Sequence, residues 1–203
     1  VLEDDQIYAE YVRWLYQLLC SLMTYYTRER VCDLIVKHLS VVRECMEQSV
    51  SEDTQPKLHA LIDCAIEAVV DECRNYQDES GSAGRQTKYE AEIEDYLEHL
   101  KNSDTRGAVG LIAEYEKKGI PLKDIYVDII GEAMQRVGDL WQKNRISVDT
   151  EHYCTTVTQL ALAQMYPAVF GQARKDRCVL VACVGSELHE MGARMVADLF
   201  EYD

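Results

Sequence analysis

The chain has 203 residues, 47% of them hydrophobic, and a formal net charge of −15. That length holds one large or two small domains, and the apolar fraction is ample for a buried core. Phosphate neutralisation needs clustered Lys and Arg, so the charge argues against nucleic-acid binding and against attachment to an anionic membrane surface.

No stretch of 18 apolar residues free of charge is present, so no membrane span is expected. The start, Val1-Leu-Glu-Asp-Asp, is acidic where a signal peptide would be basic. Eight cysteines (20, 32, 45, 64, 73, 154, 178 and 183) include no Cys-x-x-Cys, so a zinc site is not expected. Most lie among apolar residues at helical spacing. They read as reduced, buried cysteines of a cytoplasmic protein.

Residues 1–78 form an N-terminal helical region. Ile7, Tyr8, Tyr11, Trp14, Leu15, Leu18, Leu19 and Leu22 recur at three and four residues, the helical period. A second helix is expected from near Thr27, carrying Val31, Leu34, Ile35, Leu39, Val42 and Met46. Pro56 suits the first turn of a third, with Leu58, Leu61, Ile62, Ala65, Ile66, Val69 and Val70. Three such helices make a bundle or a dimerising hairpin, so a homo-oligomer is expected. His38 and His59 read as surface or satisfied core histidines, and Tyr25, Tyr26, Trp14 and Tyr16 as core or interface. No basic DNA-binding helix-turn-helix is present, so this region is expected to address a signalling protein partner or its own copy.

Residues 79–87, small, polar and rich in Gly and Ser, read as a linker. Helical periodicity then resumes over 88–174. Tyr89, Ile93, Tyr96, Leu97 and Leu100 mark one helix, and Asp104 caps a second with Ala108, Leu111 and Ile112. Pro121 opens a third, through Ile125, Ile129, Ile130, Met134 and Val137 to Trp141. Ser147 or Asp149 caps a fourth, from about Val148 to Val169. Short loops between four such helices predict a four-helix bundle.

At the end of that bundle lies Trp141-Gln-Lys-Asn-Arg-Ile-Ser-Val-Asp-Thr-Glu151-His152. A short turn brings a flat ring, a carboxylate and an imidazole to one place. Indole offers area and a π face, Glu accepts hydrogen bonds from hydroxyls, and His donates or accepts. The residues alone also fit a core Trp followed by an acidic first helical turn.

Residues 175–203 begin with Arg177-Cys-Val-Leu-Val-Ala-Cys-Val184, a continuous apolar run that predicts a buried parallel strand. Gly185-Ser-Glu187-Leu-His189-Glu-Met-Gly192 follows as a loop, and Ala193–Glu201 as a crossover helix. Ligands of open α/β sheets bind at such a strand end. The His189 imidazole can ligate a metal, Glu187 can fix its tautomer, and Gly192 permits close backbone approach. The fold class is therefore mainly α: an N-terminal helical region, a four-helix cap, and the first βα unit of a Rossmann-like α/β domain. The chain stops after that unit, and the native protein is expected to continue.

The Trp141 and Glu151-His152 spacing, with Glu187-x-His189-x-x-Gly192 after it, resembles the cobalamin-binding domain of the CarH/LitR-type photoreceptors. Val137, Gly138, Ile146, Ser147 and Val148 fit the same pattern, over about Tyr89 to Asp203. The resemblance implies cobalamin as cofactor, in its adenosyl form. It implies that Val137, Trp141, Val148, Glu151 and His152 contact the upper face, with Glu187 and Gly192 on the lower side. His189 is then the lower axial cobalt ligand. The light-sensing relatives place a cobalt-ligating His directly after the Trp, whereas this chain has Gln142.

No catalytic set is read, and the chain is expected to be a sensor or binding protein rather than an enzyme. The leading expectation is an adenosylcobalamin-dependent light sensor that signals by protein contacts or oligomer change. Two alternatives stand beside it. One is a photosensor using the same fold for a linear tetrapyrrole (a bilin), with Cys154 and Cys183 flanking the cleft as thioether candidates. The other is a corrinoid carrier of a methyltransferase system.

Overall fold

The computed structural model of the protein describes residues 5–75, 87–171, 175–185, 187 and 189–203. The linker expected at 79–87 lies, apart from Thr87, outside the described residues. The chain divides into two compact units, Val1–Gly81 with Gln142–Arg145, and Ser82–Trp141 with Ile146–Asp203. Among the described residues no helix is long and apolar enough to cross a membrane.

The first unit is a three-helix bundle of α1 (Asp5–Leu22), α2 (Arg28–Glu47) and α3 (Gln55–Asn75), with α3 packed on both others. The Thr27 side chain caps α2 by accepting from the Arg30 N–H, which satisfies one of the amides a helix start leaves open. Pro56 sits in the first turn of α3, where its missing N–H costs nothing. Val12 and Tyr16 of α1, Val31, Ile35 and Leu39 of α2, and Leu58, Ile62, Ala65 and Val69 of α3 form the core.

The period expected for α1 is present, but its inward face is Ala9, Val12 and Tyr16, while Ile7, Tyr11 and Leu22 are exposed. α1 carries more apolar residues than one stripe can bury. The surplus is mostly aromatic, and Tyr8, Tyr11 and Trp14 shield one another by stacking at 6.4 and 6.1 Å. Tyr25 and Tyr26 are likewise exposed rather than core. His38 is exposed, and His59 contacts Glu47 Oε1 at 2.5 Å, as fits surface histidines. Gln142–Arg145 belongs to this first unit. There the buried Gln142 donates from Nε2 to Trp14 O (3.2 Å) and Gln17 Oε1 (3.1 Å), and Ser21 donates to Gln142 O (2.6 Å).

The second unit is built on α4 (Glu90–Lys101), α5 (Thr105–Lys117), α6 (Leu122–Asp124) and α7 (Glu132–Gln142) as far as Trp141, the last two joined through a π-helical stretch, Ile125–Gly131. It continues with α8 (Val148–Gln164), α9 (Tyr166–Val169) and α10 (Met191–Tyr202). α4, α5, the α6–α7 segment and α8 make the expected four-helix bundle around Ile93, Tyr96, Leu100, Ile112, Ile129 and Leu162. Asp104 caps α5 by accepting from Gly107 N–H, and Ser147 caps α8 by accepting from Thr150 N–H. The π stretch turns Ile125, Tyr126, Ile129 and Ile130 inward together.

Polar contacts tie the bundle across its helices. Arg136 on α7, 12% exposed, grips Glu90 of α4 with both terminal nitrogens (2.7 and 2.8 Å) and also reaches Glu94 and Glu132. The geometry is bidentate, the strongest form of such a pair. The guanidinium holds the Glu90 carboxyl below its ordinary value. Lys88 and Tyr89 both donate to Asp124 Oδ2, at 2.8 and 2.6 Å, which anchors the start of α4 to α6.

The run at 177–184 does not form the expected strand. A parallel strand needs neighbours for its ladder, and no strand occurs among the described residues. Val179, Leu180 and Val184 are consequently exposed, Leu180 by 91%. The crossover helix does form, as α10, and buries Met191, Met195, Leu199 and Tyr202 against the bundle core.

Candidate functional site

The first cluster lies where α7 gives way to α8. The helix ends just after Trp141, which is half-buried. Asn144 then takes a φ of 54°, in the left-handed region where Asn is better tolerated than most residues. Ile146 follows, and the Ser147 cap starts α8, so Glu151 and His152 fall in and just beyond its first turn. Glu151 is fixed on both oxygens: Oε2 lies 2.6 Å from His152 Nδ1, and Oε1 accepts from the Thr155 hydroxyl at 3.0 Å. A carboxylate only accepts, so Nδ1 of His152 carries the proton. The imidazole is well exposed, while Glu151 is largely covered.

Thr155 was not among the residues singled out from sequence. Its signal was its place, four residues after Glu151 and so on the same helix face. Val148 is exposed and open to a ligand, whereas Val137 is 1% exposed and part of the bundle core. Val137 was expected to touch the cofactor. Its turn of α7 faces the bundle core.

The second cluster is the loop before α10. Glu187 Oε1 lies 2.5 Å from His189 Nδ1 and also accepts the backbone N–H of His189 at 2.8 Å. One carboxylate oxygen thus holds both the ring and the peptide. The carboxylate places the proton on Nδ1, which leaves Nε2 with its lone pair when the ring is neutral. The His189 side chain is 96% exposed. Gly192 is exposed in the first turn of α10, and an added Cβ there would meet nothing within 4 Å. Among the described residues that space is open, which leaves room for the close backbone approach expected there. Ser186 and Leu188 lie outside the described residues.

The structure thus pairs Glu151 with His152, and Glu187 with His189. Among the described residues no group of three or more His, Cys, Asp or Glu is placed to hold a metal ion. The loop offers one exposed imidazole, a single nitrogen donor. The thiols fit the sequence expectation in part. All eight are free, but Cys45, Cys178 and Cys183 are exposed. Cys154 lies in the bundle core at 1% exposure, and burial raises its thiol pKa. Its thiol is thus covered by the bundle rather than presented at the surface.

Residues 92–166 match a family model described as a B12 binding domain. The matched span runs from α4 to the start of α9 and covers less than half of the chain. It supports a cobalamin-binding domain in the helical bundle. No curated protein and no solved structure matches the chain.

Proposed function

We propose that this chain is a light sensor that holds adenosylcobalamin, with His189 as lower axial ligand and Trp141, Glu151 and His152 at the upper face. The Glu187–His189 contact at 2.5 Å carries the proposal, because it presents one exposed imidazole with its tautomer fixed. The match of the bundle to a B12 binding domain supports the choice of cofactor. The residues present fit the group: a single nitrogen donor for the metal, and an indole, a carboxylate and an imidazole for a nucleoside.

Adenosylcobalamin, when bound, supplies a cobalt–carbon bond that visible light breaks. The chain's own residues account for the rest. Glu187 fixes Nδ1–H of His189, so that Nε2 is the nitrogen with a lone pair in the neutral ring. Trp141 offers a flat apolar face to the base of the upper ligand. Glu151, held by His152 and Thr155, accepts hydrogen bonds from ribose hydroxyls. Such contacts exist in one state and are lost in the other, and that difference in free energy is what can shift a conformational equilibrium. Gln142 does not replace the His of the light-sensing relatives, since its amide donates to Trp14 and Gln17. A different consequence of illumination is therefore expected, read out as a change of oligomeric state or of contact with a signalling protein.

The test is an absorption spectrum and an elution volume for the purified protein with adenosylcobalamin, in the dark and after green light. The proposal expects a bound spectrum that changes irreversibly on illumination, together with a change in elution. Uptake with no light-dependent change in elution refutes the sensor and leaves a corrinoid carrier, for which the lower loop is equally suited. No cobalamin uptake, but a red-absorbing species with a bilin, refutes the cofactor.

A further inference from the structure

α10 docks on the bundle through Met191, Met195, Leu199 and Tyr202. A stripe so rich in flexible Met specifies register poorly, since Met adapts to many surroundings. Within this helix one polar residue is buried: Asp198, 7% exposed. A carboxyl in an apolar interface is costly unless it is hydrogen-bonded. Its Oδ2 accepts from the hydroxyl of Tyr126 at 3.2 Å. Tyr126 is itself fully buried, and it belongs to the π-helical stretch, a feature that often marks functional positions. Tyr126 and Asp198 lie 72 residues apart in the chain.

A leucine at position 198 would pack the same interface without that cost. A buried polar pair retained in an apolar contact is best explained by what it fixes, which is the rotation and register of the helix. α10 begins at Met191, two residues after His189. Its first turn therefore sets where the Glu187–His189 loop leaves the bundle.

We propose that the Tyr126–Asp198 hydrogen bond is a positioning pair for the axial imidazole, locking α10 so that His189 is presented in one place. This rests on His189 being the lower ligand. Neither residue touches the cofactor, and both act through the helix.

The experiment compares Asp198→Leu, Asp198→Asn, Tyr126→Phe and His189→Ala with the unaltered protein. Each is titrated with adenosylcobalamin in the dark, reading Kd and the imidazole-coordinated fraction from the spectrum, with Tm measured without cofactor. Asp198→Leu and Tyr126→Phe should lose much of the coordinated fraction and bind roughly tenfold more weakly, equivalent to about 1.4 kcal/mol. Asp198→Asn keeps an acceptor for the Tyr126 hydroxyl and should restore coordination. If Asp198→Leu does not fold, Tyr126→Phe, which removes one oxygen, carries the same test. The proposal is overturned if the folded variants lower Tm yet coordinate as the unaltered protein does. It is overturned too if Asp198→Asn is as impaired as Asp198→Leu. The His189→Ala arm separates the two layers. If that substitution leaves the bound spectrum unchanged, the lower-ligand assignment fails; if it abolishes coordination while the other variants do not, only the positioning pair fails.

Discussion

Removing the hydroxyl of Tyr96 tests the apolar interior of the four-helix bundle. Tyr96 and Thr158 are both fully buried, and their oxygens lie 3.0 Å apart. The Thr158 hydroxyl also donates to Met134 Sδ at 3.2 Å, so the Tyr96 O–H is the donor to Thr158. Burial pushes the Tyr96 phenol up to about 12, so the donor stays protonated at neutral pH. Tyr96→Phe removes one donor and leaves Thr158 its sulfur acceptor, for a cost of about 1 kcal/mol. Thr158→Val strands the Tyr96 donor in an apolar core, for a cost of about 2 kcal/mol. The double variant has no stranded group, and it should be more stable than the sum of the single losses implies by about 1 kcal/mol. Urea denaturation followed by circular dichroism, with an unchanged m value, gives each number. Single losses that add to within about 0.3 kcal/mol would refute the contact, because independent sites behave that way.

Two other perturbations have signed outcomes. Lys88 and Tyr89 hold the Asp124 carboxyl below its ordinary value of 3.8, so its contribution to stability is present above that pH and is lost as the pH falls. Asp124→Asn should lower Tm at neutral pH and flatten the acid limb of Tm against pH; an acid limb as steep as before would contradict this. Asp198 has the opposite sign, since burial raises its pKa and folding favours its protonated form. Trp141→Ala should weaken adenosylcobalamin more than methylcobalamin by several-fold, read from the two Kd values; equal loss for both would remove the nucleoside-facing role.

The helix boundaries were legible because local chemistry sets them. Thr27, Asp104 and Ser147 cap where their side chains reach an open amide, and Pro56 and Pro121 stand where a missing N–H is harmless. What tertiary context decides was less legible. The inward face of α1 could not be read from a helix with apolar residues on most sides. The π stretch leaves no mark in a pattern whose apolar pairs, Ile125-Tyr126 and Ile129-Ile130, also fit an α-helix. The run at 177–184 has the composition of a strand, yet a strand exists only with a partner. At the candidate site, Glu187 and His189 were placed together by their spacing in a loop. The burial of Val137 and of Cys154 depends on which helix faces close the bundle, and spacing does not carry that.

The most direct test of cobalamin binding through the loop is a dark titration of the unaltered protein and of His189→Ala with adenosylcobalamin, followed by its visible spectrum. Saturable uptake with an imidazole-coordinated spectrum, converted in His189→Ala to the uncoordinated form with weaker binding, is the predicted result. Saturable uptake with the same spectrum in both proteins would contradict the assignment of His189, and no uptake by the unaltered protein would contradict the account as a whole.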